Sequence, residues 1–165
     1  MKIAVTTDHA GFEALRELKT FLESLGHECV DFGPQSLDMD DDYPEFMFPA
    51  AKAVAAGDCD CGIIFGGSGQ GEAMAANRIK GVRCALFYGP VAAKTAVDAE
   101  GHTSDDPYEI LRLSRQHNHA NVLSLSGRFL SREEIKQAVQ VWLDTPFSEA
   151  ERHVRRVRQL DEFEP

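Results

Sequence analysis

The chain has 165 residues, of which 43% are hydrophobic and 27% are charged, and its formal net charge is −10. This length fits one domain with one core, and the acidic balance argues against nucleic acid or an anionic membrane as a partner, because both bind cationic surfaces. No apolar stretch approaches the ~20 residues of a membrane-spanning helix. The first residues, MKIAVTTDHAG, enter a strand pattern without a signal-peptide region, so we expect a cytoplasmic protein.

Four cysteines occur in the chain, at Cys29, Cys59, Cys61 and Cys84. One residue separates Cys59 from Cys61, a spacing that fits neither a redox motif nor a zinc site. We therefore expect reduced, mostly buried thiols rather than disulfides or metal ligands.

Strand and helix patterns alternate along the chain. The predicted strands are Lys2–Thr7, His27–Phe32, Gly62–Phe65, Val82–Tyr88 and Val122–Leu125. The predicted helices are Phe12–Leu25, Pro44–Ala56, Gln70–Arg78, Pro90–Ala99, a stretch over residues 111–118, Ser131–Leu143 and Ser148–Phe163. The last two helices each open with Ser-x-x-Glu, the sequence of a capping box.

Short strands that are apolar on both faces and alternate with helices predict a parallel sheet covered on both sides. Five such strands favour a Rossmann-like three-layer α/β/α sandwich, in one domain over residues 1–165 with an extended, charged C-terminal helix. Two polar segments interrupt the pattern: the acidic loop Asp38–Asp42, which we expect to be solvated, and Glu100–Ile110, which predicts an exposed excursion.

The glycine-rich stretch GGSGQG, Gly66–Gly71, follows the third predicted strand and leads into a helix. Ligands of such sheets bind at the carboxyl ends of the strands, and glycines let backbone N–H groups approach a ligand closely beside a helix N-terminus. The stretch lacks the lysine of a P-loop and does not follow the first strand, where a dinucleotide fingerprint belongs. Two interpretations remain, a simple turn or an oxyanion hole.

Glu72 follows this stretch directly. A carboxylate beside an oxyanion hole is the arrangement that removes a proton α to a carbonyl, since the N–H groups hold the oxygen on which charge develops. The alternative is that Glu72 only complements the helix dipole in the first turn.

Three further groups could carry chemistry. Asp8 and His9 end the first strand on the same edge of the sheet, unless they form only a turn and a cap. His117 precedes the fifth strand and could exchange protons near neutral pH, although histidines at helix ends are also common on surfaces. Arg152 and Arg156 lie four residues apart on one helix face and could bind a phosphate; the alternative is a solvated, charged face.

Taken in order along nearly the whole chain, these motifs resemble the ribose-5-phosphate isomerase B / galactose-6-phosphate isomerase family. The similar stretches are DHAG at 8–11, DDDYP at 40–44, GGSGQGEAMAANR at 66–78, GVRCAL at 81–86, RQHNHANVL at 115–123, SGR at 126–128 and RHVRR at 152–156. The resemblance implies interconversion of an aldose phosphate and a ketose phosphate through a cis-enediol(ate). It also implies a homodimer, or a tetramer, with active sites at the subunit interface, the charged C-terminal helix over residues 148–165 at that interface, and neither a metal nor another cofactor.

The resemblance assigns catalytic roles to three residues. Many family members carry a catalytic cysteine at the position of Gly66, and a subgroup that lacks it uses a glutamate, which matches Glu72 as the base. Ser68 is implied to move a proton between the two sugar oxygens. His117 is implied to open the furanose ring.

The resemblance also implies residues that bind the sugar phosphate. Asp8 binds sugar hydroxyls, His9 contacts the substrate at its phosphate end, and Asn118 orients a substrate oxygen. The remaining pocket residues are Tyr43, which lines the pocket, and Gly67, Gly69 and Gly71, which form the anion hole with Ser68. The implied phosphate ligands are Arg128, Arg152 and Arg156.

Two features leave the substrate open. The segment Glu100–Ile110 is longer than this connection usually is in the family, and it lies close before His117. Members of the family also act on different sugars. We expect ribose 5-phosphate as the substrate, with allose, galactose and tetrose phosphates as alternatives, and a non-catalytic phosphosugar-binding module as the alternative to an enzyme.

Overall fold

The computed structural model of the protein describes residues 1–163, which form a five-stranded parallel sheet with helices on both faces. The strands are β1 (Lys2–Thr6), β2 (Glu28–Asp31), β3 (Cys61–Gly66), β4 (Cys84–Phe87) and β5 (Val122–Ser126). The helices are α1 (Phe12–Ser24), α2 (Tyr43–Ala55), α3 (Gln70–Ala76), α4 (Glu109–Gln116), α5 (Arg132–Asp144) and α6 (Glu151–Asp161). Residues 164 and 165, part of the predicted C-terminal segment, lie outside the described residues.

The sheet has the order β2-β1-β3-β5-β4, and every neighbouring pair of strands is parallel. Its side chains alternate between two cores: Ile3 and Val5 pack with α1, α4 and α5 on one face, and Ala4 packs with α2 and α3 on the other. Both faces are therefore apolar, as a sheet covered on both sides requires. The predicted Rossmann-like α/β/α sandwich is confirmed.

Gly11 allows the chain after β1 to approach β3 closely. A short 3₁₀ turn, His9–Gly11, follows β1. A Cβ atom on Gly11 would lie 2.3 Å from the Thr7 hydroxyl and 2.6 Å from the Phe65 Cβ. The absence of a side chain at Gly11 thus brings Asp8 and His9 beside the loop that follows β3.

The predicted helix Pro90–Ala99 is wrong, because residues 88–108 contain neither helix nor strand. The Asp98 side chain accepts hydrogen bonds from the backbone N–H groups of Glu100 and His102, both at 3.0 Å. Within the predicted helix, the Val97 N–H donates to the His102 carbonyl at 2.7 Å rather than to the carbonyl four residues earlier, so the backbone there does not follow a helical pattern. The excursion predicted for Glu100–Ile110 therefore begins about a dozen residues earlier, and it ends where α4 starts.

Side-chain hydrogen bonds also determine where helices begin and end. Helix α3 stops at Ala76, short of the predicted Arg78, because the Asn77 amide exchanges two hydrogen bonds with the Cys84 backbone, at 3.0 and 2.8 Å. The capping box predicted at Ser131 is confirmed.

The capping box predicted at Ser148 is wrong: α6 begins after Ala150 without a side-chain cap, since the Ser148 hydroxyl is hydrogen-bonded to His153 Nδ1 at 2.8 Å.

The longest helices of the structure have 13 residues. None of the helices within residues 1–163 combines the length and the apolar character that crossing a membrane requires.

Candidate active site

A cavity of about 400 Å³ opens at the carboxyl edge of the sheet, where the ends of β1, β3 and β5 meet. This edge is where doubly wound sheets bind their ligands. Most of the residues predicted for the site share this cavity. Its lining consists of Asp8, His9, Ala10, Tyr43, Gly67, Ser68, Gly71, Glu72, Arg128 and Phe129.

The Glu72 carboxylate occupies the space that a side chain at residue 66 would fill. A Cβ atom on Gly66 would lie 1.8 Å from Glu72 Oε1 and 1.9 Å from Cδ. Gly66 does not have a positive φ, so the backbone there would accept another residue. A larger residue at this position would displace the carboxylate, which lies against Gly66 at the end of β3 and beside the glycine loop.

Glu72 is buried in an environment that favours its neutral form. The residue is only 5% exposed, and Oε2 has no hydrogen-bond partner among residues 1–163. Burial raises the pKa of the Glu72 carboxyl above its ordinary value of 4.5, the negative charge of Asp8 raises it further, and His9 opposes the shift. A buried carboxylate with a raised pKa is a stronger base than one in water, as proton abstraction from carbon requires.

The loop from Gly67 to Gly71 is shaped by close contacts that only glycine permits. Gly69 adopts a φ of +76° as the N-cap of α3, and its carbonyl accepts a hydrogen bond from the Ser124 hydroxyl at 2.7 Å. A Cβ atom on Gly71 would lie 2.8 Å from the Tyr43 ring, and one on Gly67 would lie 3.3 Å from the Arg128 guanidinium. Gly69 thus makes the turn behind the cavity, while Tyr43 and Arg128 cover the loop on its open side.

His9 is held by Asp41, a residue that we expected to be solvated. The Asp41 side chain is only 6% exposed and accepts hydrogen bonds from His9 Nδ1 at 2.7 Å and from the His9 backbone N–H at 3.0 Å. The hydrogen bond with Asp41 raises the pKa of His9, which favours a cationic imidazole facing the cavity. The prediction of a solvated Asp38–Asp42 loop is therefore wrong at Asp41.

Asp8, His9 and Asp41 also offer three possible metal-ligand atoms within 4.8 Å of one another. Internal hydrogen bonds already use the carboxylates and the imidazole. Asp8 Oδ1 accepts from the Ala10 backbone N–H at 2.9 Å, and His9 Nδ1 donates to Asp41. These hydrogen bonds fix the orientation of the His9 ring beside the cavity.

His117 lies in a second cluster rather than in the cavity around Glu72. Its ring packs against His153, with ring centres 4.2 Å apart. The Arg152 Nε–H donates to His153 Nε2 at 3.1 Å, so the proton of the neutral ring lies on Nδ1, beside Ser148. Burial and the nearby His117 lower the pKa of His153.

His153 was not predicted as a site residue, because it stands between arginines in a helix that appears uniformly charged in sequence. His153 is only 4% exposed, and Val157, four residues later on the same helix face, is 9% exposed. This spacing was the sequence signal that could have indicated a buried face.

The remaining predicted residues do not line the cavity around Glu72 either. Arg156 is exposed on α6. Asn118 lines a larger cavity of about 720 Å³ between the α3–β4 connection and α6. The carboxylate in that larger cavity, Asp161, is already bound by Arg83 at 2.8 and 2.9 Å. In the smaller cavity, by contrast, no arginine or lysine of residues 1–163 pairs with Glu72, and its Oε2 has no hydrogen-bond partner in that range.

The cysteines are not suited to act as the base. All four are free thiols. Burial raises the pKa of Cys61 to about 12 and raises the pKa of Cys84 as well, so both stay protonated near neutral pH. Cys61 also lies at the opposite end of β3 from Gly66.

Replacing Gly66 by alanine tests the contact with Glu72. The new Cβ would displace the carboxylate, so we expect G66A to lower the free energy of unfolding by about 1 kcal/mol, the lower end of the usual cost of overpacking, because the end of a side chain can shift. In the E72A background this cost should largely vanish, because the atoms that clash are gone. Urea unfolding of the two single variants and the double variant measures the coupling; an equal cost of G66A in both backgrounds would contradict the proposed contact.

The raised pKa of Glu72 predicts a stability change with a definite sign. Because the folded chain binds this proton more tightly than the unfolded chain, stability falls as the pH rises from the ordinary value of 4.5 through the raised folded value. E72Q removes the buried charge, so we expect it to increase the free energy of unfolding at neutral pH and to have little effect below about pH 4. The exposed Glu23→Gln is the matched control, and a neutral-pH loss of stability in E72Q would show that the buried charge is compensated.

Comparisons with known proteins identify the family to which the chain belongs. The family model described as "Ribose/Galactose Isomerase" matches residues 3–102 and 106–160. The chain is 38% identical over 164 residues to ribose-5-phosphate isomerase B of Mycobacterium leprae, covering 99% of this chain and 90% of that protein.

Two solved structures are similar over almost the full length. Ribose-5-phosphate isomerase B of Clostridium thermocellum superimposes with a TM-score of 0.83 at 34% identity, covering 98% of this chain and 96% of that one. The enzyme of Mycoplasma genitalium, solved with bound ribulose 5-phosphate, superimposes with a TM-score of 0.82 at 34% identity, covering 97% and 93%. The chain belongs to the ribose/galactose isomerase family.

Proposed function

We propose that this protein is an aldose–ketose isomerase that interconverts ribose 5-phosphate and ribulose 5-phosphate. The observation that carries the proposal is the Glu72 carboxylate, buried against Gly66 beside a glycine loop and without a hydrogen-bond partner on Oε2 among residues 1–163. The family supports the reaction class. Relatives named ribose-5-phosphate isomerase B, one of them solved with ribulose 5-phosphate, support the choice of sugar.

In the proposed mechanism Glu72 moves one proton between neighbouring carbons. Its carboxylate removes the proton from C2 of the open-chain aldose, and the C–H electron pair forms the C1–C2 double bond as the carbonyl oxygen gains negative charge. Backbone N–H groups of Gly67, Ser68 and Gly71 stabilise this enediolate oxygen. Glu72 then returns the proton to C1, while Ser68 carries the hydroxyl proton from O2 to O1, so that the ketone forms at C2.

Positive charge near the cavity would hold the phosphate. Two basic residues line the cavity, His9 and Arg128. The hydrogen bond with Asp41 raises the pKa of His9 and so favours its charged form, and the Arg128 guanidinium lies over Gly67. Arg152 and Arg156 are the proposed additional phosphate ligands, since two guanidinium groups on one helix face can bind a phosphate by charge-assisted hydrogen bonds. His117 would open the furanose ring and Asn118 would orient a substrate oxygen.

The proposed active assembly is a homodimer, because the residues assigned to one site lie in two separate places of the chain. Glu72 lines one cavity, whereas His117 and Arg152 form a cluster with His153 on and before α6. A second subunit could bring its cluster to the first subunit's cavity. Helix α6 and the residues after it also expose Val154, Leu160 and Phe163, by 45%, 60% and 70%, as a surface at a subunit interface would. A tetramer built from such dimers would preserve the same sites.

The proposed reaction needs no redox cofactor, because one base moves a proton and the electrons stay within the substrate. We place the protein in the cytoplasm. All four cysteines are free thiols, which suits a reducing compartment.

Turnover tests the proposal most simply. The wild-type enzyme should convert ribose 5-phosphate faster than allose, galactose or tetrose phosphates in a coupled assay. E72Q should lower kcat at least about 100-fold, the usual contribution of a general base, while retaining substrate binding. C61S is the control, because it alters an ionisable group at the far end of β3 without touching the cavity. Absent turnover on every sugar with intact binding would favour a phosphosugar-binding module, and a faster hexose or tetrose phosphate would reassign the substrate.

Mixing two inactive variants tests the shared site. If Glu72 and His117 of one active site come from different subunits, exchange between E72Q and H117A dimers yields heterodimers that carry one intact site. We expect about a quarter of the wild-type activity per subunit at full exchange of equal amounts, since half of the dimers are mixed. Native mass spectrometry confirms the exchange, and no recovered activity after confirmed exchange would place both residues in one subunit's site.

A further inference from the structure

The irregular segment of residues 88–108 takes no part in the proposed mechanism. Glu100 of this segment binds Arg152 through both carboxylate oxygens: Arg152 Nη1 donates to Oε1 at 2.9 Å and Nη2 donates to Oε2 at 3.2 Å. A phosphate would bind a guanidinium group through the same two terminal nitrogens. In the described structure, a carboxylate of the same chain therefore occupies that position.

The turn that carries Glu100 is well defined by its own hydrogen bonds. Asp98 Oδ1 accepts from the backbone N–H groups of Glu100 and His102, and Asp98 Oδ2 pairs with His102 Nδ1 at 2.5 Å. The Val97 N–H donates to the His102 carbonyl at 2.7 Å, and Gly101 adopts a φ of +88°. These contacts close a loop of six residues and place Glu100 near its tip, facing α6.

Other contacts of Arg152 leave its outer face to Glu100. Arg152 Nε is hydrogen-bonded to His153, so the two terminal nitrogens are the groups free to bind an anion, and both are bound to Glu100. Arg156, one turn further along α6, is exposed and forms no ion pair with any residue of the range 1–163. The two arginines proposed to bind phosphate thus differ, because one carries an internal anion and the other does not.

We infer that Glu100 competes with the substrate phosphate for Arg152, so that the segment of residues 88–108 sets the affinity of the site for phosphorylated ligands. A phosphate that binds Arg152 must first separate it from Glu100, and the displaced carboxylate then lies near a second anion. The inference rests on the proposed phosphate-binding role of Arg152. The segment should therefore disfavour uncharged sugars more than phosphorylated ones. A phosphate dianion interacts with Arg152 more strongly than the single negative charge of the Glu100 carboxylate that it replaces, whereas an uncharged sugar does not.

Binding of inorganic phosphate tests the inference without turnover. Isothermal titration in a phosphate-free buffer compares wild type, Glu100→Gln and Asp105→Asn. The last variant removes the same charge from an exposed position of the same segment that forms no ion pair within residues 1–163. The loss of one exposed ion pair changes a dissociation constant by up to about fivefold. We therefore expect E100Q to tighten phosphate binding about two- to fivefold and D105N to change it less. Equal or weaker binding in E100Q than in wild type would overturn the inference, because Glu100 would then be neutral or would orient Arg152 for phosphate.

Two further variants locate the effect. In the Arg152→Ala background, which should itself weaken phosphate binding, E100Q should have no further effect; a persistent gain would show that Glu100 acts through another cation and would overturn the inference. Asp98→Ala, which opens the turn, should give an affinity between those of wild type and E100Q, and an affinity no higher than that of wild type would contradict the role of the turn. If E100Q tightens phosphate binding but wild type turns over no sugar phosphate, the inference stands and the proposed isomerase function fails.

Discussion

The contact between the Glu72 carboxylate and Gly66 is the constraint on which the rest of the site depends. The carboxylate fills the volume of a missing side chain at the end of β3, so its distance from the glycine loop is set by the strand rather than by a flexible surface residue. Burial there disfavours the charged form and raises the pKa of Glu72. The same burial that weakens the fold at neutral pH makes the carboxylate a stronger base, a common trade between stability and activity.

A second property of the chain is the separation of its charged groups into two places. The cavity at the carboxyl edge of the sheet combines Glu72, His9 and Arg128, while His117, Arg152 and His153 form a cluster of their own. Each group is internally ordered by hydrogen bonds, and neither contains all the functions that an isomerase of sugar phosphates needs. In the proposed dimer the two groups meet, and Glu100 adds an anion to the second group that the sugar phosphate would have to displace.

Local sequence patterns predicted the sheet, most of its helices and the loop with Glu72, because hydrophobic periodicity and glycine spacing act over a few residues. The parts that could not be predicted depend on long-range contacts. Asp41 is held in a buried position by hydrogen bonds from His9, which is 32 residues away in the sequence. The segment after β4 contains helix-forming alanines, but the backbone N–H groups of Val91 and Val97 donate to the carbonyls of Pro107 and His102, further along the chain, and the predicted helix does not form. His153 is hidden among arginines, and its contact with His117 joins α6 to the end of α4.

The central claim is that Glu72 itself carries the proton between C1 and C2. Conversion of ribose 5-phosphate in deuterium oxide tests this claim most directly, with deuterium at C1 of ribulose 5-phosphate measured by NMR and with wild type and E72Q compared at equal enzyme concentration and reaction time. A carboxyl group that holds the proton between the two steps exchanges it with solvent, so the wild-type product should carry deuterium at C1. The E72Q enzyme should form neither product nor deuterated substrate above the uncatalysed rate. Undiminished deuterium incorporation by E72Q would show that another group is the base and would contradict this account.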